Sequence, residues 1–376
     1  MYYYYTLILL YLYSNLIKVV LPISNEYINL ITWIQKNAGF VNEKVIPDES
    51  SKYNRIMKSN KKIAKNELIS FIPEKIILSS INPLLNSICR NAYGLYHTSD
   101  LECITLFITF DKFNKSSFFK PYYDYLPKFD IKYLPTSYSD EKLKLYDELE
   151  FDLHVGISNN KLKHAYNEQV EKILNKKGIK NPFEEFKYNY EIVKSRNFAR
   201  PGSEFFFDLN SCVPFIELFN HDNNYNTDYE YDEKNKGFIL KAVRDIIAGE
   251  ELTVSYGNES NINLFMTYGF TLNYNKFKNS IRVKIGEGFF RFYPTENMNN
   301  NIKDIFNIAK SLKEIYGFEK NKEIFIYNLM LEGLEKKLEK IRLIKKDDIN
   351  IKNIIDELVI SINNYIKIIK DLIKIK

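Results

Sequence analysis

The spacing of apolar positions divides the chain into blocks of different period. In residues 26–37 (EYINLITWIQKN), Leu30, Trp33 and Ile34 fall on one helical face, and Gly39 follows as a stop signal. Residues 61–79 (KKIAKNELISFIPEKIILS) read as strand, turn, strand, with Ile69, Phe71 and positions 76–78 extended and Pro73 at an edge or bend. From about 86 to 190 the period is helical. Leu101, Ile104, Thr105 and Ile108 follow a Ser99-Asp100 cap signal, Pro121, Pro127 and Pro135 break the chain into a tyrosine-rich loop, and residues 141–179 are helical again. After Arg196, short β-favouring segments return at 205–207, 238–242 and 252–254, with NHDNNYN (220–226) as a loop. From about Ile302 the chain is helical to its end. Leu331, Leu334, Leu338 and Ile341 form one stripe, and Ile351, Ile355, Leu358, Ile362 and Ile369 another; both suit a small helical bundle.

Two stretches echo each other. KKIAKNEL (61–68) and RDIIAGEEL (244–252) share the order basic residue, isoleucine, turn, acid, apolar, and both read as turns feeding a strand. The order of blocks predicts an α+β fold. An apolar segment, 1–22, precedes a split β core, 23–275, that is interrupted by a helical insert at about 86–190. An all-helical C-terminal domain, 276–376, follows.

Composition narrows the functional classes. The chain has 376 residues, 45% of them apolar and 27% charged, which suits one large or two medium domains with a sizeable core. The net charge of +5 is spread along the chain, and no Lys/Arg stripe interleaves with aromatics, so nucleic acid is not an expected partner. Cys89, Cys103 and Cys212 are far apart, so neither a disulfide framework nor a zinc site is expected. Residues 2–17 (YYYYTLILLYLYSNLI) carry no charge; a leader, an anchor, a packed apolar helix and a mis-called start codon all fit this stretch. Any membrane contact is expected only there, and the compartment, cytoplasmic or organellar, depends on whether it is a leader. A monomer is expected.

The four histidines, His97, His154, His164 and His221, show no HxxxH or HExxH spacing, and no metal site is expected. GxSxG, GxGxxG and the phosphate-loop pattern are all absent. Four segments remain: SRNF (195–198), VPFIELFNH (213–221), GEELTVSYG (249–257) and YGF (268–270). Taken singly they read as a surface arginine, a loop, a packed tyrosine and a core phenylalanine. A tyrosine at a strand end can also present a fixed hydroxyl, and Gly257 lets the backbone turn away at once.

Taken in order, these segments resemble SET-domain methyltransferases. The likeness is to the subgroup with a split SET domain and a helical C-terminal substrate-binding domain, which includes the Rubisco large-subunit lysine methyltransferase and the actin-histidine methyltransferase. It rests on TWIQKNAG, KKIAKNELISFIP, SFFKPYYDYLP, SRNF, VPFIELFNHD, IIAGEELTVSYG and NLFMTYGF, over about residues 26–270, with a weaker match through the C-terminal helices. The resemblance implies S-adenosylmethionine as cofactor and a pseudoknot in which the Asn-His segment threads beneath a neighbouring loop. It places Asn220 and His221 on the adenosyl part, and Arg196 and Phe270 near the cofactor. Glu217, also implied to be cofactor-binding, stands where the family often has Asp, Tyr256 matches the active-site tyrosine, and Tyr268 matches a substrate-channel aromatic. The implied activity is methyl transfer to a lysine, or a histidine, of a non-histone protein, since the cysteine-rich segment that follows many histone-directed SET domains is absent.

One motif departs from the family. Its usual Gly-x-Gly reads Asn54-Arg55-Ile56 here, and Lys58 stands ready to pair with the cofactor carboxylate. Side chains at a loop that backbone normally approaches closely would crowd the cofactor. This opens a second reading, a catalytically inactive SET-fold module that binds proteins.

Overall fold

The computed structural model describes residues 23–50, 55–79, 82–94, 100–126, 130–199, 210–317, 322–346 and 348–375. The apolar segment 1–22, Asn54, His97, Ser99, Pro127 and the expected strand at 205–207 lie outside the described residues. The chain divides into two compact units. One comprises Met1–Asn82, Asp111–Lys128 and Phe198–Val254; the other comprises Pro83–Phe110, Phe129–Asn197 and Ser255–Lys376.

The first unit opens on α1 (Asn25–Lys36). The Ser24 hydroxyl caps it by accepting from the Tyr27 amide, and Tyr27, Leu30, Trp33 and Ile34 form its buried face. The strands that follow are short: β1 (Phe40–Val41), β2 (Val45–Asp48), β3 (Ile56–Ser59), β4 (Leu68–Pro73), β5 (Leu78–Ser79), β6 (Asn197–Ala199), β7 (Asn210–Cys212), β8 (Asn220–His221), β9 (Thr227–Asp232), β10 (Gly237–Ala242) and β11 (Thr253–Val254). They form several small sheets: β1-β4-β10-β9, β2-β3, β5-β7-β6 and β11-β8.

The two echoed stretches meet. Ile63 and Ile246 form an antiparallel bridge, and both are fully buried. Each turn is closed the same way: Glu67 accepts the Ala64 amide and Glu250 accepts the Ile247 amide, both at 3.0 Å. Each needs a left-handed residue, which is Asn66 (φ 66°) in one and Gly249 (φ 86°) in the other. The repeated pattern in the sequence is thus a repeated turn that brackets the β core.

The second unit holds the helical insert and the C-terminal region. In the insert, α2 (Pro83–Tyr93), α3 (Asp100–Asp111), α4 (Phe151–Ala165), α5 (Glu168–Lys176) and α6 (Pro182–Lys194) bury Leu106, Leu162, Val170, Leu174 and Phe186 in one cluster. Here an expectation is corrected. Cys89 and Cys103, both buried, are joined as a disulfide across α2 and α3, with Cα atoms 5.2 Å apart. Wide sequence spacing argued against the pair, but the helices return the two positions to each other.

The C-terminal region contains α7 (Asn261–Tyr268), β12 (Ile281–Ile285), β13 (Gly288–Phe292), α8 (Met298–Tyr316), α9 (Glu323–Arg342) and α10 (Ile349–Ile375). The stripes read from the sequence are its core, with Leu334, Ile341, Ile351, Ile355 and Ile362 fully buried or nearly so. The region is not all-helical, however. IRVKI and GFFRF pair as an antiparallel hairpin in which Ile281, Val283 and Ile285 face the core and Arg282 and Lys284 face solvent. That alternation has the two-residue period of a strand, and Gly286 (φ 59°) supplies the left-handed turn residue.

Candidate functional site

In the first unit, the Asn-His pair is a strand rather than the loop expected. Phe215, with φ 72°, turns the chain into a single 3-10 turn at Ile216–Leu218. The chain then extends through β8, which pairs in parallel with β11: Asn220 lies opposite Thr253 and His221 opposite Val254. The Asp222 amide continues the ladder onto the Val254 carbonyl at 3.2 Å. Asn220 is anchored by its side chain, whose Nδ2 donates to Glu251 Oε1 at 2.9 Å and to the Arg55 carbonyl at 3.4 Å. One amide thus ties the Asn-His strand both to the GEEL turn and to the segment that replaces Gly-x-Gly.

Asn226 does a similar task that the sequence reading missed. It is buried, its Nδ2 donates to the Glu251 carbonyl at 2.8 Å, and its Oδ1 accepts the Thr253 amide at 2.9 Å. A side-chain amide here substitutes for a missing strand neighbour of β11. In the sequence it is one of a run of asparagines, with nothing to mark it out.

Two residues expected near a cofactor have partners inside the protein. Lys58, on β3, places Nζ 2.6 Å from Asp48 Oδ2 on the neighbouring β2. That ammonium, with the Ser50 donors, holds the Asp48 carboxyl well below the usual carboxylate range. Glu217 is 5% exposed and accepts the Tyr122 hydroxyl at 2.7 Å. Both contacts reflect local geometry: a lysine and an aspartate on one face of a two-stranded sheet, and a buried carboxylate that needs a donor. Arg55 is held as well, its guanidinium 3.8 Å from the Tyr125 ring centroid and Nη1 donating to the Tyr125 carbonyl at 2.8 Å.

The second unit carries the tyrosines. Arg196 is half-buried just past the C-terminal end of α6, its amide bonded to the Val193 carbonyl. Tyr256 follows β11 by two residues, and Gly257 (φ 107°) turns the chain away directly after it. Ser260 caps α7, which ends at Tyr268; Gly269 (φ 80°) then adopts the left-handed conformation that reverses the chain. The reversal sets Tyr268 and Phe270 on either side of one helix terminus, so that both reach Tyr256. Ring centroids lie 4.6 Å apart for Tyr256 and Tyr268, 6.5 Å for Tyr256 and Phe270, and 6.1 Å for Tyr268 and Phe270. All three are half-buried, so the cluster is not sealed in the core. Three ring faces with two phenol hydroxyls form a surface suited to a cation, each face contributing roughly 0.5–2 kcal/mol.

The SET-domain family model matches residues 54–257, more than half of the chain. The chain belongs to the SET-domain family. Among curated SET relatives, it is 23% identical over 262 residues to SET domain-containing protein 4 of Artemia parthenogenetica, a match covering 65% of this chain and 62% of that protein. It is 24% identical to protein-lysine N-methyltransferase EFM1 of Saccharomyces cerevisiae, over 67% of this chain and 51% of the relative. It is 21% identical to actin-histidine N-methyltransferase of Papio anubis, over 61% and 40%. The chain thus spans between two fifths and about three fifths of the length of these relatives. Among solved structures, that of Rubisco LSMT bound to AdoMet superposes with a TM-score of 0.68 at 16% identity, covering 94% of this chain and 93% of that one. The SET domain of LSMT bound to lysine and AdoHcy gives a TM-score of 0.65 at 15% identity, over 92% and 91%. The fold is therefore that of a SET domain followed by C-terminal helices.

Proposed function

We propose that this SET-domain chain is an S-adenosylmethionine-dependent methyltransferase that modifies a lysine side chain of a non-histone protein, with histidine as the alternative acceptor. The observation that carries the reading is the Tyr256, Tyr268 and Phe270 cluster, which follows directly on the strand paired to Asn220 and His221. Relatives that modify a lysine and a histidine, and fold neighbours bound to AdoMet and AdoHcy, support it.

In the first unit, Asn220 and His221, fixed on β8 beside β11, are the groups that would hold the cofactor. The loss of glycine at Ile56 imposes no backbone strain, because Ile56 lies in regular β3, paired with Asp48, and its backbone is not in a conformation that demands glycine. Lys58 and Glu217 are assigned to support instead, through Asp48 and Tyr122. When bound, the cofactor supplies a methyl group on a sulfonium, open to in-line displacement.

The chain's own residues orient the acceptor. Tyr256 and Tyr268 present hydroxyls and ring faces that hold an amine and restrict its approach, which is where methyl transfer gains most from pre-organisation. A lysine must first lose a proton, and with a reference pKa of about 10.4 this costs on the order of 4 kcal/mol at neutral pH. A histidine, at about 6.5, largely avoids that cost.

The test is transfer of labelled methyl from S-adenosylmethionine to a panel of lysine and histidine peptides, with the rate followed from about pH 7 to 9. A lysine acceptor predicts a rate rising about tenfold per pH unit below the acceptor's pKa. A flat profile contradicts rate-limiting lysine deprotonation and favours histidine. Absence of transfer to every acceptor contradicts the reading and favours the inactive binding module.

A further inference from the structure

The segment that carries Tyr268 and Phe270 is gripped by one face of the last helix. Asn350, Asn353 and Glu357 stand at i, i+3 and i+7 of α10 and so share a side of it. Asn350 Oδ1 accepts from Thr271 Oγ1 at 2.9 Å. Asn353 Nδ2 donates to Thr271 Oγ1 at 3.0 Å and to Asn273 Oδ1 at 3.2 Å. Glu357 reaches deepest. Its Oε1 accepts the Asn279 amide at 2.7 Å and Asn279 Nδ2 at 2.8 Å, and its Oε2 accepts Asn261 Nδ2 at 3.0 Å.

Asn261 and Asn279 are 2% and 1% exposed, and both pass the contact on. Asn279 Oδ1 accepts the Ile262 amide at 2.8 Å, in the first turn of α7. Asn261 Oδ1 accepts the Leu272 amide at 2.9 Å, and its Nδ2 also donates to the Leu272 carbonyl at 3.1 Å. A chain of hydrogen bonds therefore runs from Glu357 to both ends of the segment 261–272. The segment's middle holds Tyr268 and Phe270.

The acidic side chain matters in this network. Both Glu357 oxygens face N–H donors, and the Asn261 oxygen is already committed to Leu272 and to Asn275 Nδ2 at 3.3 Å. An amide at 357 would have to set its NH2 against a donor. Burial pushes the Glu357 carboxyl above the usual range, so the charge is held there at a desolvation cost that an apolar residue would not incur. What the carboxylate adds is register.

We propose that Glu357 is a positioning residue. Acting through Asn261 and Asn279, it fixes the segment that sets Tyr268 and Phe270 against Tyr256. On this view α10 shapes the aromatic site as well as closing the helical core. The consequence for methyl transfer rests on the function proposed above; the clamp itself does not.

A double-mutant cycle in the full chain tests it, read by hydrogen exchange of peptides spanning 261–272 and by calorimetric affinity for S-adenosylmethionine. Glu357→Gln is expected to speed exchange of that segment, and weaken the cofactor, by about tenfold each, from the donor left facing a donor. Asn261→Asp, which sets two carboxylates face to face, is expected to do the same. Combining them restores an acceptor opposite the amide introduced at position 357 and should recover the part of both losses that runs through Glu357, the Asn261 bond to the Leu272 carbonyl staying lost. Asp356→Asn, one position away and paired on the surface with Lys346 and Lys352, should change neither. Unchanged exchange in Glu357→Gln, or a double variant no better than the singles, overturns the proposal. A wild-type chain that binds no cofactor contradicts the proposed function instead, and exchange alone then decides the clamp. Should Glu357→Gln fail to fold, Asn353→Ala, which removes only contacts to Thr271 and Asn273, must still speed exchange at 269–273; unaltered exchange there overturns the clamp.

Discussion

Tyr256 shows how much of the chemistry depends on local backbone. Its ring stacks 4.6 Å from Tyr268 because Gly257 and Gly269, both with positive φ, turn the chain away on either side of the cluster. A larger residue at either glycine would force the chain out of the left-handed region and move a ring. The ring and the hydroxyl are separable. Tyr256→Phe keeps the aromatic face, so affinity for S-adenosylmethionine should hold within about threefold. Loss of the orienting hydroxyl should slow methyl transfer by about 100-fold. Single-turnover rates beside binding isotherms check this; equal loss in both would mean that the hydroxyl holds the cofactor rather than orienting the acceptor.

Among the elements, a close fit occurs where α9 crosses the β12–β13 hairpin at Gly333. A Cβ added there would stand 2.7 Å from the Lys284 carbonyl and 3.1 Å from Val283 and Ile285. Two effects compete. Alanine gains about 1 kcal/mol of helix propensity over glycine, while overpacking against backbone that cannot move aside costs about 1–3 kcal/mol. Because the nearest atom is a strand carbonyl, packing should win, and Gly333→Ala should lower urea-unfolding stability by about 1 kcal/mol or more. A stabilised variant would show that the helix sits further from the hairpin. The hairpin itself is legible in the sequence, because IRVKI alternates. It lies beside stretches of strong helical period, though, and the expectation of helix extends across it. The long stripes in α9 and α10 are plain in the sequence because amphipathic period is summed over many residues. β8 escapes such a reading because two residues cannot show a period; its pairing is set by a partner 33 positions away, Thr253 with Asn220.

The whole molecule has an acid signature that follows from its paired carboxylates. Lys44, the Ala64 amide and Asn42 hold the Glu67 carboxyl down to about 2, from an ordinary 4.5, and Lys58 lowers Asp48 likewise. A lowered folded-state pKa means stability that is complete above the ordinary value and lost as pH falls through the folded one. The loss should therefore come between about pH 4.5 and 2. Glu357 works in the opposite sense, because burial raises its pKa, so its protonation begins above that window and removes the desolvation cost of its charge. The urea midpoint should hold steady or rise slightly on mild acidification and then drop below about pH 4.5. A midpoint constant to pH 2 would show that these pairs contribute nothing.

At the same scale, the family and most of the candidate site are legible in the sequence, because the motifs that carry them are short and local. The supporting asparagines, Asn226, Asn261 and Asn279, are illegible for a physical reason: in a chain this rich in asparagine, only burial separates a structural amide from a solvated one. The same holds for Lys58 and Glu217, whose partners Asp48 and Tyr122 are apparent only in three dimensions.

The most direct test of the central claim is a calorimetric titration of S-adenosylmethionine into the full chain, beside Asn220→Ala. Micromolar binding, about 8 kcal/mol of free energy, that is lost when the Asn220 bonds to Glu251 and Arg55 are removed is the predicted result. No heat at millimolar cofactor would contradict the account and leave the SET fold as a scaffold.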